Sequence, residues 1–304
     1  MRVIVVGLGV QGHKWVKFAG ADFVATVDPV NKTADYARIE DVPLSAYDSA
    51  LVCVPDEPKV ELLKFLLTNG KNVLVEKPLW VQDEQEIYLL QELARKNNVY
   101  CYTAYNHRFE PHFMRMRDLI ASGELGKLYH CRVFYGNGTA RLVRDSVWRD
   151  QGDGVLPDLG SHLLDTLNFW FGVQNLDYKL ELRACHENAA PDHVIFSSNN
   201  SQPQLQCEMM LLSWRNHFTC DLFAEHGSVH IRSLCKWGPA TFTHRKRVLP
   251  SGKPVEQTVT LVQDDPTWQL EYAYFKQACL EKKTTDLAVD MWIHRVLHKL
   301  HGEG

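Results

Sequence analysis

The chain has 304 residues, enough for two domains at roughly 100–200 residues each. Lys and Arg number 33 against 37 Asp and Glu, a net charge of −4, and 45% hydrophobic with 23% charged residues excludes disorder and fibrous repetition. That slight acidity argues against a nucleic-acid partner, because phosphate binding wants a basic face.

In the first hundred residues, short apolar runs alternate with helical patterns. Val3–Val6, Phe23–Val27, Ala50–Val54, Asn72–Val75 and Val99–Thr103 read as buried strands, β-branched and bounded by Gly, Pro or Asp. Gln11–Ala19, Pro58–Asn69 and Val81–Asn97 carry apolar residues at helical spacing, and Asn69-Gly70 is a C-terminal stop. This alternation predicts a parallel sheet covered on both faces.

The pattern changes after about Tyr105. Helices are expected over Pro111–Ser122 and Ser161–Phe171, flanking an early strand, Leu128–Tyr135. Strands then dominate: Tyr178–Ala184, His193–Ser197, Leu205–Trp214, Phe218–Ala224, Ser228–Arg232, Ala240–Val248 and Val255–Val262. Arg215-Asn216-His217 is so short a link that Leu205–Trp214 and Phe218–Ala224 are expected to form an antiparallel hairpin. The chain closes with helices over Thr267–Glu281 and Leu287–Leu300. The fold class is therefore α/β: an N-terminal Rossmann domain over residues 1–110, then a C-terminal α+β domain with an open, mostly antiparallel sheet over 111–304. Apolar residues on both faces of Leu205–Trp214 predict a helix layer on one side and a subunit interface on the other, giving a homodimer or homotetramer through the C-terminal sheet.

No apolar run approaches the roughly 18 residues of a membrane span, and Met1-Arg2 leads into the first strand without a signal-peptide pattern, so no membrane partner is expected. The 8 cysteines form no CxxC pair and mostly lie in apolar runs, as thiols do in a reducing, cytoplasmic setting. His294, His298 and His301 recur at helical spacing, but no carboxylate or Cys completes a ligand set and no metal is expected.

Gly7-Leu8-Gly9-Val10-Gln11-Gly12 follows a strand and opens a helix, the context in which GxGxxG binds a dinucleotide. Gly7 makes the tight turn, Gly9 admits a pyrophosphate against the backbone, Gly12 lets helix and strand pack closely, and the helix N–H groups face the phosphates. Asp28 ends the second strand, where a carboxylate binds ribose hydroxyls and repels a 2′-phosphate, so NAD is favoured over NADP. Val73-Leu74-Val75-Glu76-Lys77-Pro78 places a Glu-Lys pair at a strand's carboxyl end, where ligands of such sheets bind. Further on, Asp158, His162 and Asp165 surround the start of a helix in Gly152-Asp153-Gly154-Val155-Leu156-Pro157-Asp158-Leu159-Gly160-Ser161-His162-Leu163-Leu164-Asp165. His162 and Asp165 share a helical face, and a His near a helix N-terminus is held in its neutral, basic form.

In order and spacing, the GLGVQG start, VLVEKPL, Tyr105-Asn106-His107-Arg108-Phe109 and GDGVLPDLGSHLLD resemble the Gfo/Idh/MocA family of dinucleotide-dependent oxidoreductases, which includes inositol dehydrogenases and glucose-fructose oxidoreductase. The resemblance spans nearly the whole chain. It implies a nicotinamide held between the two domains, with Gly7, Gly9, Val10, Gln11, Gly12, Asp28, Pro55, Glu76 and Lys77 binding the cofactor. It further implies that Lys77 contacts the reacting hydroxyl, His162 is the acid/base and Asp158 binds substrate and supports His162. Tyr105, Asn106, Arg108, Trp148 and Arg149 are expected beside them around a small sugar-type substrate, and Lys77–Pro78 is expected to be cis. The expected reaction interconverts a secondary alcohol and a ketone on a sugar, cyclitol or nucleotide-linked sugar. An NADP(H)-dependent sugar reductase and a catalytically silent dinucleotide sensor are the alternatives.

Three positions depart from the family pattern: Lys59 where a His is frequent, His107 where Asn-Arg-Arg is common, and Asp153 within what is elsewhere a Gly triplet. They bear on substrate identity more than on reaction class. Arg141, Arg144, Trp148 and Arg149 in the loop before the catalytic segment suggest an anionic substrate as one reading and a solvated basic loop as the other.

Overall fold

Runs such as Val3–Val6 and Ser49–Val52, in which every residue is buried, form strands that must be covered on both faces. In the computed structural model, which describes residues 1–146, 149–172, 177–200 and 202–302, the chain divides into two units. One comprises Met1–Asn106 with Trp268–His294, the other His107–Thr267 with Arg295–Gly304.

In the first unit, β1 (Val3–Val6), α1 (Val10–Ala19), β2 (Phe23–Val27), β3 (Ser49–Val52), α2 (Asp56–Thr68), β4 (Asn72–Glu76), α3 (Glu84–Lys96) and β5 (Cys101–Ala104) follow one another. The five strands are parallel in the order β2-β1-β3-β4-β5. Connections leave β1 and β3 in opposite directions, and the crevice outside the carboxyl ends of such strands is where ligands bind. Leu63, Leu66 and Leu67 of α2 and Ile87 and Leu90 of α3 pack on Ile4, Val6, Val52, Val73 and Val75 on one face. Only short 3₁₀ turns connect β2 to β3. On the other face, α1 leaves room that the chain fills from its far end: Tyr272, Phe275 and Ala278 of the helix Thr267–Leu280 join Trp15 and Ala19 against Val3, Val5, Leu51 and Leu74.

The expected division at 110/111 therefore changes. Residues 268–294 belong with the first unit, because that sheet has a second apolar face and its own crossovers supply too few helices to cover it.

The second unit contains α4 (Pro111–Ala121), β6 (Leu128–Gly136), α5 (Ala140–Arg144), α6 (Ser161–Phe171), β7 (Lys179–Ala184), β8 (His193–Ser198), β9 (Gln204–Met210), β10 (His217–Ala224), β11 (Gly227–Arg232), β12 (Ala240–Lys246) and β13 (Val255–Leu261). The last two helices are α7 (Thr267–Leu280) and α8 (Ala288–Gly302). Eight strands lie in the order β13-β12-β11-β10-β6-β9-β8-β7, antiparallel except for β6 with β9.

Period-two alternation separates the faces of this sheet. One transverse row reads Val259, Phe242, Ile231, Cys220, Val133, Cys207 and Phe196; the next reads Thr258, Thr243, His230, Asp221, Arg132, Gln206 and Ser197. The second face is thus largely polar, with Asp221 accepting from His230 Nδ1 at 2.6 Å, Arg232 at 2.6 Å and Arg132 at 3.2 Å. Phe134, Ile195, Leu182, Met210 and Phe223 are apolar residues on this face, and in β9 the apolar side chain on it is Met210, at the strand's end, as the change from Gln204, Gln206 and Glu208 to Met210 predicts.

The expected hairpin is not formed. β9 and β10 flank β6 on opposite sides, and residues 211–216 step over the end of β6. Ser213 N–H donates to Asn137 O at 3.1 Å and Asn137 N–H to Met210 O at 3.0 Å. The crossing is tight: Trp214 adopts φ 56°, and a Cβ on Gly138 would lie 2.9 Å from the Trp214 carbonyl. A short link therefore marked a change of side instead of a pairing. No helix among the described residues is long and apolar enough to cross a membrane.

If α7 completes the first unit's core, Phe275→Ala removes a fully buried ring from it. Chemical denaturation should show a loss of about 3–5 kcal/mol; a loss comparable to a surface substitution would remove α7 from that core.

Candidate active site

In the first unit the glycine loop has the geometry its sequence demands. Gly7 sits at φ +92°, and a Cβ there would meet the Cys53 carbonyl oxygen at 2.5 Å. A Cβ on Gly12 would lie 1.9 Å from the Gly7 carbonyl oxygen, so the α1–β1 approach requires glycine. A Cβ on Gly9 would meet nothing within 4 Å: the space in front of it is open, as a pyrophosphate cradle requires. No side chain caps α1, so its first N–H groups at Val10, Gln11 and Gly12 remain available to an anion. Gln11 Oε1 is buried without a hydrogen-bond partner among the described residues. These features fit a dinucleotide.

Asp28 braces the loop. Its carboxylate accepts from Leu8 N–H at 2.7 Å and from Val30 and Asn31 N–H at 2.8 Å each. Burial pushes its pKa up, but the three backbone hydrogen bonds outweigh it and hold the group below the ordinary carboxylate range, hence ionised at neutral pH. Arg38, a nearby cation, pairs with Glu40 at 3.3 Å.

Pro55 precedes α2, and Glu76 and Lys77 end β4. Lys77–Pro78 is cis, as expected. Two contacts fix this turn. Trp15 Nε1 donates to Glu76 Oε1 at 2.6 Å, and burial raises the Glu76 pKa against the opposing pull of Trp15 and Lys77. Lys59, 2% exposed, donates to Pro78 O at 2.9 Å and to Asp56 at 2.5 Å. The residue that departs from the family pattern thus ties the start of α2 to the turn that carries Lys77. Tyr105 and Asn106 are buried at the end of this unit.

In the second unit His162 lies on α6 and Asp158 on the turn before it. Leu156–Gly160 is a π-helical turn running directly into α6, with Val155, Gly160 and Ser161 all in αR conformation. Pro157 has no N–H to donate, and the wider turn absorbs that gap. His162 therefore stands more than a turn inside a continuous helical stretch. The expected helix-terminus effect on its charge does not apply at that depth.

The neighbour of His162 is instead His107. The two rings stack with centroids 4.1 Å apart and 19° between planes, and Tyr135 lies 5.5 Å from His107 and 6.2 Å from His162. Asp165, fully buried, accepts a fork from Arg108 at 3.0, 3.0 and 2.5 Å. Burial raises the Asp165 pKa, and Arg108 opposes it. Arg149 lies 3.5 Å from Asp158. Arg141 pairs instead with Glu187 at 3.7 Å, and Trp148 lies outside the described residues. Asp153 is held by Arg183 and by His301 Nδ1 at 2.7 Å, so this departure anchors the loop leading to Asp158.

The sequence missed Lys236. It lies in the 3₁₀ turn Cys235–Trp237 and donates to Tyr135 Oη at 3.3 Å. No motif marked it, because it reaches this position only through the order of the strands.

Residues 1–105 match the description "Oxidoreductase family, NAD-binding Rossmann fold", and residues 113–229 match "GFO/IDH/MocA C-terminal domain". The chain belongs to the Gfo/Idh/MocA family. Among the relatives of this Gfo/Idh/MocA chain, trans-1,2-dihydrobenzene-1,2-diol dehydrogenase of Bos taurus is 29% identical over 178 residues, 54% of this chain and 52% of its own length. Inositol 2-dehydrogenase of Corynebacterium glutamicum (strain R) is 27% identical over 171 residues, 48% of this chain and 51% of its own. The chain spans about half the length of these curated relatives. Levoglucosan dehydrogenase, solved in complex with NADH, shares the fold at a TM-score of 0.84 and 15% identity, covering 100% of this chain and 96% of that one.

Gly9→Ala and Gly12→Ala separate folding from binding. Gly9→Ala should keep the wild-type melting temperature while weakening NADH binding about tenfold or more in a fluorescence titration, and Gly12→Ala should lose both. Unchanged affinity in Gly9→Ala would rule out the cradle. Asp165→Asn should cost about 3–5 kcal/mol in urea unfolding, because it breaks a buried pair, whereas Arg108→Met with Asp165→Leu should recover much of that loss.

Proposed function

We propose that the chain is an NAD-dependent oxidoreductase that interconverts a secondary alcohol and a ketone on a sugar, cyclitol or nucleotide-linked sugar. The observation that carries the reading is the placement of Lys77. It stands at the carboxyl edge of β4 on a turn braced by Trp15 and Lys59, in a chain that keeps Asp158 and His162 on adjoining helical turns. Named relatives that are dehydrogenases of dihydrodiols and inositol support the same chemistry and substrate class. An ionised Asp28, with Arg38 paired to Glu40, supports NAD over NADP.

Gly7, Gly9, Val10, Gln11, Gly12, Asp28, Pro55, Glu76 and Lys77 would hold the dinucleotide. Bound nicotinamide supplies the hydride acceptor or donor. Oxidation of a carbinol requires its hydroxyl proton to leave as the hydride does, and His162 takes it. The Lys77 ammonium stabilises the negative charge that develops on that oxygen, and Asp158 orients the substrate and His162. Tyr105, Asn106, Arg108, Trp148 and Arg149 complete the proposed substrate-binding set. A cytoplasmic address and a homodimer or homotetramer through the C-terminal sheet belong to the same proposal.

Lys77→Ala and His162→Ala should each lower kcat by about 10²-fold or more, with NADH affinity within about threefold of wild type. Screening sugars, inositols and nucleotide sugars for NAD reduction supplies the substrate. Full turnover in either variant would refute its catalytic role.

A further inference from the structure

Lys236 is an ammonium without an ion pair. Its Nζ lies 3.3 Å from Tyr135 Oη, 4.7 Å from the Trp237 ring centroid and 5.8 Å from that of Tyr135. Tyr135 in turn touches both imidazoles, so one aromatic layer runs from Trp237 through Tyr135 to His107 and His162. Among the described residues no carboxylate stands within ion-pair distance of Lys236. The nearby acids have other partners: Asp158 has Arg149, Asp265 caps Thr267 at 2.9 Å through N–H and 2.6 Å through Oγ1, and Glu110 accepts from Cys235 N–H at 3.3 Å. The Lys236 side chain is solvent-exposed, yet the protein atoms crowded around its head group lower its pKa, with the charges of Asp265, Glu110 and Asp158 opposing the shift.

An ammonium offers three hydrogen bonds, and here one goes to a neutral phenol. Polyol hydroxyls would satisfy the remaining N–H groups but not the charge. A carboxylate satisfies both, and Lys binds such a group as a point charge without the planar fork that Arg needs. The loop arginines carry less of the case for an anion, since Arg141 is already paired at the surface.

We propose that Lys236, supported by Tyr135 and Trp237, is a specificity-determining residue of the Asp158/His162 site and selects a polyhydroxylated substrate bearing a carboxylate. The kinetic arm of this proposal rests on the oxidoreductase reading above; the binding arm does not.

The test uses full-length protein loaded with NADH, with D-glucuronate and D-galacturonate compared against D-glucose and D-galactose by calorimetry. Wild type should bind at least one uronate about tenfold or more tighter than its neutral counterpart, consistent with a charge-assisted hydrogen bond. Lys236→Met should abolish that preference, Lys236→Arg should retain part of it, and urea unfolding of each variant should match wild type. With NAD, Lys236→Met should raise KM for the uronate about tenfold while kcat stays within about threefold. Failure of wild type to prefer a uronate, or a preference that survives in Lys236→Met, overturns the proposal. Uronate binding that depends on Lys236, with no NAD reduction by any uronate, sugar, inositol or nucleotide sugar of the screen, would refute the NAD-dependent dehydrogenase reading and leave the Lys236 assignment standing.

Discussion

The buried pair between Arg108 and Asp165 is the constraint on which the second unit's site depends. Arg108 follows His107 directly, and Asp165 lies one helical turn after His162, so a fork that fixes one pair of residues fixes the other. The stacked imidazoles at 4.1 Å are the result. A monodentate or exposed pair would leave the 3₁₀ turn carrying His107 free to rotate against α6. Three short contacts between a planar guanidinium and a carboxylate with no solvent exposure do not. The arrangement carries a desolvation cost, and what it provides is geometric definition at the residue proposed as the base.

In the first unit the glycine loop is fixed by backbone donors to one carboxylate. Asp28 receives three N–H groups, one of them from the glycine loop, so the loop and the end of β2 move as one piece. Lys59 likewise reaches a main-chain group, the carbonyl of Pro78, in the turn that carries Lys77. A lysine in the first turn of a helix opposes the macrodipole, and Asp56, one turn earlier on the same helix, offsets it. The glycine loop is therefore positioned through main-chain N–H groups, whereas the lysine turn is held by one main-chain acceptor, Pro78 O, and one side-chain pair, Trp15 with Glu76.

Much of this was legible in the sequence because the signals are local. Short apolar runs, mostly buried, gave β1 to β5, alternating runs gave the strands of the second sheet, and GLGVQG with Asp28 marked the dinucleotide loop by spacing alone. What escaped was non-local. The link 211–216 is short enough for a hairpin, and only the presence of β6 between β9 and β10 turns it into a crossing. The amphipathic face of α7 reads as any helix face until the first sheet is found to have an apolar side its own crossovers leave uncovered. Lys236 carries no motif and reaches Tyr135 through strand order. The π-helical turn at Leu156–Gly160 escaped for a different reason: Pro157 announces an irregularity but does not say whether the chain breaks or widens there.

The three departures from the family pattern have a common character. Lys59 braces the turn behind Lys77, His107 stacks on His162, and Asp153 anchors the segment leading to Asp158. Each is buried and touches the support of a proposed catalytic residue while leaving Lys77, Asp158 and His162 unchanged in type. Substitution at such positions alters the set and tilt of a reacting group by fractions of an ångström, and positioning on that scale governs which substrate reaches a productive geometry. The departures therefore bear on the positioning of the proposed catalytic residues and leave those residues in place. Lys236 places a positive charge beside the aromatic layer that includes His107 and His162.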